Sequence, residues 1–428
     1  MIGINSLSRG EDMARPEILK CVLCGKEYSP EPERYVCGTC GLDGTLDVLY
    51  DVNEAKKRLM KDSLSLSREM SMWRYRDIMP VLNDANIPEL SVGWTPLYEN
   101  KRLASEYGVR KLYVKDDGRN PTASLKDRAS AVGVAKALDF GQKTVACAST
   151  GNAASSLSGF AAVTGLESYI FVPEKAPAAK VTQLLVYGAN VVLVKGDYAK
   201  AFDLATAAIE KFGWYNRNCA INPYLVEGKK TCAMEMAEQL NWEVPDRVFI
   251  PVGDGCCIGG LYKGFRDLLE LGLIDRMPKI TGVQAEGSSP IYKAITENSE
   301  RVNFGPANTI ADSISVGAPR NWAKALRAIR KSGGAAVTVT DNEILSAIPE
   351  LARSSGVFGE PAGVTGFAGF RKMALAGETA PDETVAVVVT GNGLKDIESA
   401  KRSVGKPLSC SPDIEEFSRL IDLRRTHK

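Results

Sequence analysis

The sequence predicts an α/β protein with largely parallel sheets, and three observations predict it. Short apolar runs recur from about Trp94 onward: "TVACAST", "ESYIFVP", "NVVLVKG", "RVFIPVG", "KITGVQAEG", "AAVTVT" and "TVAVVVTG". Longer amphipathic stretches such as "AKAFDLATAAIEKF" and "GKKTCAMEMAEQL" fall between them. Several runs end in turns of glycine and small polar residues that open the next helix-like stretch. Strands that are apolar on both faces need cover on both, and helices crossing between parallel neighbours supply it. With 428 residues, 44% hydrophobic and 25% charged, the chain has material for two or three domains.

Taken from the N-terminus, the first twenty residues lack the continuous apolar core of a signal peptide. No later run approaches the roughly 20 apolar residues that span a bilayer, so the cytoplasm is the expected location and no membrane partner is expected. Residues 1–50 hold "CVLCGKEYSPEPERYVCGTCG", which pairs Cys21 and Cys24 with Cys37 and Cys40. Two C-x-x-C knuckles, each followed by glycine (Gly25, Gly41), let backbone amides turn toward thiolates and close a four-sulfur zinc site. Four cysteines leave no open ligand position, which points to a structural metal in a small ribbon. Residues 51–93 are charged with helical spacing and read as a helical linker. The region from 94 to 428 carries the α/β alternation.

Charge and histidine content exclude several function classes. Fifty-three basic against 52 acidic residues supply no general field for nucleic acid or an anionic membrane. The aromatic residues show no stacking pattern for bases either. The single histidine, His427, is next to last in the chain, where a side chain is poorly held. Histidine-based triads, general bases and metal sites are thereby excluded, leaving lysine, carboxylates, hydroxyls, backbone groups or a cofactor.

Four stretches at strand ends can carry chemistry. "NPTASLKDRAS" follows the strand-like "KLYVKDD" and sets Lys126 among small and hydroxyl residues, as either a surface charge or a reagent. "ACASTGNAASS" places Ser149, Thr150, Gly151 and Asn152 where a helix opens, which suits a carboxylate or an ordinary helix cap. "PVGDGCCIGGLYKG" is glycine-rich but has Ile258 where a dinucleotide fingerprint needs glycine, and it lacks the end of a P-loop. Its Gly253, Asp254, Gly255, Cys256 and Cys257 still offer backbone amides to a phosphate monoester at a helix start, with the Asp254 carboxylate tolerable only if turned away. "VVVTGNGLKD" puts the Thr390 hydroxyl at a strand end, able to bond a heteroaromatic nitrogen or to cap a turn. Glu286 and Glu360 are open to two readings, acid or base and strand-end cap, of which the cap is favoured, and Cys256 and Cys257 read as small fillers. A lysine amine, a carboxylate cradle, a phosphate cradle and a hydroxyl together make a set for pyridoxal phosphate, whose aldehyde forms a Schiff base with lysine.

"NPTASLKDRA" resembles the Asn-Pro-Thr-Gly-Ser-Phe-Lys-Asp-Arg motif of the threonine synthases, within the tryptophan-synthase-β family of fold type II pyridoxal-phosphate enzymes. The resemblance extends from about Trp94 to Lys395, with "STGNAA", "INPYLVEGKKT", "PVGDGCCIGG", "GVFGEPA" and "TGNGLKD" in the family's order. The cysteine segment is similar to the ribbon on some members. The resemblance implies two open, largely parallel α/β domains with the cofactor between them, the smaller inserted at about 129–240. It implies that Lys126 carries the cofactor and later moves protons, that Asn152 bonds the cofactor's phenolic oxygen, and that Gly253 to Cys257 hold its phosphate. Ser149, Thr150 and Gly151 would hold the carboxylate of an amino-acid substrate, and Thr390 would face the ring nitrogen. A neutral hydroxyl there favours elimination and replacement over transamination. Homodimers are common in the family.

The family's Asn-Ser pair and arginine, which hold the phosphate of O-phosphohomoserine, are Cys219, Ala220 and Leu225 here, and Ser315 stands where a second arginine belongs. Lys229, Lys230, Arg217 and Arg320 are the candidates to compensate. The leading expectation is a lyase of the threonine synthase kind in amino-acid biosynthesis, releasing threonine and phosphate. The alternative keeps cofactor and fold but acts as a lyase, thiolase or β-replacement enzyme on an unphosphorylated amino acid. A remote alternative is an inactive zinc-ribbon binding protein. Metal loss is expected to loosen the ribbon and leave cofactor binding largely intact.

Overall fold

The computed structural model describes residues 16–32, 34–176, 178–219 and 221–426; Ala220 and His427 lie outside them. Strands β1 (Pro16–Cys21), β2 (Glu27–Tyr28), β3 (Val36–Cys37) and β4 (Gly41–Tyr50) form an antiparallel ribbon in the order β2-β1-β4-β3. Positive φ at Gly25 and Gly41 turns the chain after each cysteine pair, a conformation that glycine adopts without steric cost. Strand β4 continues well past the knuckles, so its far end reaches the body of the protein.

The linker holds the short helices Val52–Arg58 and Lys61–Ser65, the first capped by Asp51, and a 3-10 segment, Met72–Ile78. It is fastened down: Arg74 and Tyr75, both buried, bind Glu238.

The apolar runs then form two separate sheets. Strands β5 (Leu97–Glu99) and β6 (Lys111–Asp116) begin the first. The chain next builds β7 (Thr144–Ala148), β8 (Glu167–Pro173), β9 (Asn190–Val194) and β10 (Tyr215–Asn216), all parallel, in the order β10-β7-β8-β9. It returns with β11 (Arg247–Pro251), β12 (Lys279–Ala285), β13 (Ala336–Val339) and β14 (Thr384–Val389), completing the order β13-β12-β11-β14-β6-β5. Every pair in that sheet is parallel except β5 with β6. The expectation of parallel α/β sheets behind a cysteine ribbon is met.

Central β14 explains the fold energetically. All six of its residues are buried, and alternate side chains enter different cores. Ala386 and Val388 join Leu261, Phe265 and Leu268 of the helix Cys256–Leu271, while Val385, Val387 and Val389 join Phe367 and Phe370 of the helix Pro361–Leu375. Each such valine contributes about 1.5–3 kcal/mol, enough to fix the strand's register. The helices Lys126–Asp139 and Tyr224–Gln239 touch backbone to backbone at Gly228, where an added Cβ would lie 1.9 Å from the Arg128 carbonyl oxygen. Among the described residues no helix is long and apolar enough to cross a membrane.

Candidate active site

The carboxyl ends of β6, β11 and β14 in one sheet and β7 in the other face a common space, the position where open α/β sheets bind ligands. Residues 120–128 are strapped across it. Ser124 bridges to Gly391, and the Leu125 amide donates to the Thr390 carbonyl at 2.9 Å, so the segment is tied to the end of β14. Asp127, buried, accepts the Thr122 amide at 2.6 Å and the Thr122 hydroxyl. Ala123 sits at φ 68°, the left-handed region, where the resembling motif has glycine. Arg128 is wholly buried, its guanidinium between Asp117 and Glu235. Lys126 stands apart from this scaffold. It is the first residue of its helix, and its Nζ lies 3.6 Å from the sulfur of Cys257.

Two connected spaces meet at Lys126. The larger, about 570 Å³, is lined by Ser149, Thr150, Gly151, Asn152, Arg217 and Ser315, among others. The smaller, about 70 Å³, is lined by Gly253 to Cys257, Lys229 and Thr390. Lys126, Asn152 and Cys219 border both. The structure therefore brings together Lys126, Ser149 to Asn152, Gly253 to Cys257 and Thr390, from four different loops. The cysteines of the ribbon form a separate cluster, with sulfurs all within 4.8 Å of one another. There the Tyr28 hydroxyl and the amides of Thr39 and Cys40 point at the Cys37 sulfur.

The phosphate-sized space is built by backbone. No side chain caps the helix Cys256–Leu271, which follows Gly255 at φ +93°, and a Cβ on Gly255 would lie 2.5 Å from the Asn321 carbonyl oxygen. Asp254 turns away from this cradle: its carboxylate accepts the Arg320 amide at 2.7 Å and the Cys256 thiol at 3.1 Å. Burial pushes its carboxyl up in spite of those donors. Likewise no side chain caps the helix Asn152–Thr164, whose first turn faces the larger space.

Three residues matter more than the sequence indicates. Glu360 precedes the helix Pro361–Leu375 but makes no cap bond; it accepts instead from the side-chain amide of Asn152, which borders both spaces. Burial pushes the Glu360 carboxyl up, only partly offset by Asn152, Lys395 and Lys126. Arg217 and Lys229 are each 1% exposed and, among the described residues, neither has a carboxylate partner. Both point at the Cys219 sulfur, at 3.1 and 3.3 Å. Hydrogen bonding with Cys256 and the charges of Arg217 and Lys229 outweigh burial and hold the Cys219 thiol well below its usual range. Of the other candidates, Lys230 is consumed by Glu227 and Asp267, while Arg320 lines the larger space. Leu225 faces Gly133 within the protein, and Glu286 is exposed.

The comparisons with known proteins agree with this geometry. The family model described as pyridoxal-phosphate dependent enzyme matches residues 88–391. Threonine synthase of Methanocaldococcus jannaschii is 40% identical over 404 residues, covering 94% of this chain and 98% of its own. That of Methanosarcina acetivorans is 42% identical over 406 residues, with coverage of 94% and 98%. Among solved structures, processed threonine deaminase isoform 2 from Solanum lycopersicum superposes with a TM-score of 0.63 at 23% identity, covering 73% of this chain and 88% of that one, a likeness of fold. Since threonine synthases match along nearly their whole length and the family model spans every loop at the site, the chain belongs to the threonine synthase family of pyridoxal-phosphate dependent enzymes.

Proposed function

We propose that this enzyme is a threonine synthase that converts O-phosphohomoserine and water to threonine and phosphate. The observation that carries the reading is Arg217, a buried cation that lines the larger space beside Lys126 without a carboxylate partner among the described residues. A buried cation left uncompensated costs several kcal/mol, and an anionic ligand offsets that cost. The donors missing from Cys219, Leu225 and Ser315 are thus replaced from other positions. Nearly full-length identity with two threonine synthases supports the same reading.

The residues present fit pyridoxal phosphate: a glycine loop packed so closely that a Cβ on Gly253 or Gly255 would collide with Ile314 or Asn321, an uncapped helix start, Lys229 beside it and an amine within reach. Bound there, pyridoxal phosphate supplies an electron sink for cleavage of a carbon–hydrogen bond next to the substrate's amino group. Gly253, Gly255, Cys256 and Cys257 would hold the phosphate through backbone amides, and Asp254 would brace the loop. Thr390 would bond the ring nitrogen with its hydroxyl, and Asn152 the phenolic oxygen. Lys126 Nζ would anchor the cofactor and then take and return protons. Ser149, Thr150 and Gly151 would orient the substrate carboxylate, and Arg217 would hold the leaving phosphate.

The test is a steady-state assay of the holoenzyme on O-phosphohomoserine, expecting phosphate and threonine in equal amounts. Arg217→Gln is expected to lower kcat/KM about 10- to 100-fold, the worth of one hydrogen bond to a charged group. Preference for unphosphorylated amino acids over O-phosphohomoserine would move the enzyme to the lyase or β-replacement reading.

Cys21, Cys24, Cys37 and Cys40 would bind one zinc ion in a structural role, since four sulfurs converge and leave no open position. Elemental analysis is expected to find about one zinc per chain, lost in a Cys21→Ser/Cys37→Ser variant. Metal content unchanged by that substitution would rule the assignment out. A cytoplasmic homodimer completes the proposal.

A further inference from the structure

The ribbon touches more than solvent. Strand β4 lays Asp43, Leu46 and Asp47 against the helix Trp322–Lys331. Lys324, 1% exposed, donates to the Leu46 carbonyl at 2.6 Å and lies 3.3 Å from Asp47 Oδ1, both on the ribbon. Arg327 reaches Asp47 Oδ2 at 2.7 Å, and Arg266 of the helix Cys256–Leu271 at 3.7 Å. The Trp322 indole donates to Asp43 at 3.3 Å. Burial pushes the Asp47 carboxyl up, but Lys324, Arg327, Arg266 and Lys263 outweigh it and hold it well below the usual range.

One turn away, the same helix reaches the active site. Asn321, immediately before it and 2% exposed, donates its backbone amide to the Asp254 carbonyl at 2.9 Å. Its side-chain amide reaches the Cys219 carbonyl at 3.1 Å and the Cys256 sulfur at 3.2 Å. Its carbonyl lies against Gly255, and Lys324 Cβ would lie 2.9 Å from a Cβ on Gly259. The turn held by the ribbon is therefore pressed onto the first turn of the helix that begins at the phosphate cradle.

We propose that the ribbon is a positioning element for the cofactor phosphate: Asp47, through Lys324, fixes the first turn of the helix Trp322–Lys331, and Asn321 thereby holds Gly253–Cys257 in shape. The inference rests on the reading that this loop seats the phosphate. Removing the Asp47 charge leaves Lys324 buried with only a carbonyl beside it, a state relieved by moving the turn outward. Asn321 moves with it, and the loop, whose Gly255 tolerates many conformations, loses its brace.

The experiment uses the full-length protein freed of cofactor and titrated separately with pyridoxal phosphate and with pyridoxal, read by absorbance. Asp47→Asn is expected to weaken pyridoxal phosphate about tenfold and pyridoxal less than about twofold, with Asp47→Glu restoring most of the loss. Unchanged affinity for the phosphate form, or equal losses for both ligands, overturns the proposal, because general destabilisation does not distinguish them. Should Asp47→Asn fail to fold, Arg327→Gln removes one partly exposed contact to the same carboxylate; about a threefold loss confined to pyridoxal phosphate is expected, and the same outcomes overturn it. Gly255→Ala separates the two ideas. If it leaves the phosphate preference intact, the cofactor seat fails and the proposal with it. If it abolishes the preference while Asp47→Asn does not, the ribbon's role alone is overturned.

Discussion

Lys126→Ala is expected to leave the protein folded, to remove the borohydride-reducible link to pyridoxal phosphate, and to lower turnover by at least about a thousandfold. The fold should survive because the Lys126 amine contributes only a 3.6 Å contact to the Cys257 sulfur, while Asp127 and Arg128 carry the buried bonds of the motif. The catalytic loss should be large because, among the described residues, no other lysine borders both spaces. Lys229 borders the smaller one and is held at the Cys219 sulfur. Visible absorbance, borohydride trapping and steady-state rates on the same preparation check it. A reducible cofactor adduct persisting in Lys126→Ala would assign the link to another amine.

Two residues along, Arg128→Ala should do the opposite: destabilise the fold by about 3–5 kcal/mol, with any loss of activity following from unfolding. Arg128 binds Asp117 through Nε at 2.7 Å and Glu235 through Nη2 at 2.8 Å, and Lys115 joins Glu235 at 2.8 Å, all fully buried. Removing the guanidinium leaves two carboxylates facing one ammonium out of water. The same cluster sets an acid limit. Burial pushes the Glu235 carboxyl up, but Arg128 and Lys115 outweigh it and bring it from 4.5 to about 2. Because its folded value is depressed, its stabilisation, on the order of 3 kcal/mol, is fully present above about pH 4.5 and disappears as pH falls toward 2. Urea unfolding of Arg128→Ala at pH 7, and of the parent protein between pH 5 and 2, checks both. A loss under about 1 kcal/mol for Arg128→Ala would mean that the cluster relaxes to water.

Several features were legible in the sequence because they depend on neighbours along the chain. A continuous apolar run marks β14, and the glycines after each cysteine pair mark the ribbon turns. The loops at the ends of β7, β11 and β14 were recognisable as helix starts or strand ends rich in small residues. Glu360 was misjudged for the same local reason: a glutamate just before Pro361 looks like a cap, and nothing nearby in sequence reveals Asn152, 208 positions away. The Asp254 objection dissolves through Arg320 and Asn321, equally remote. The Cys219, Leu225 and Ser315 departures suggested a weak anion site because residue identities at aligned places were all that could be compared.

By itself the sequence determined the alternation that makes parallel sheets, the four-sulfur ribbon and the lysine at a strand end, since hydrophobic period, metal-ligand spacing and turn chemistry are properties of short segments. Only the tertiary structure decided that Arg217 and Lys229 lie buried near that lysine without carboxylate partners among the described residues, and that Asp47 and Lys324 join the ribbon to the helix packed against residues 253–257. A buried charge takes its meaning from whichever group folding places within a few ångströms of it, and that distance is set by packing between segments far apart in the chain.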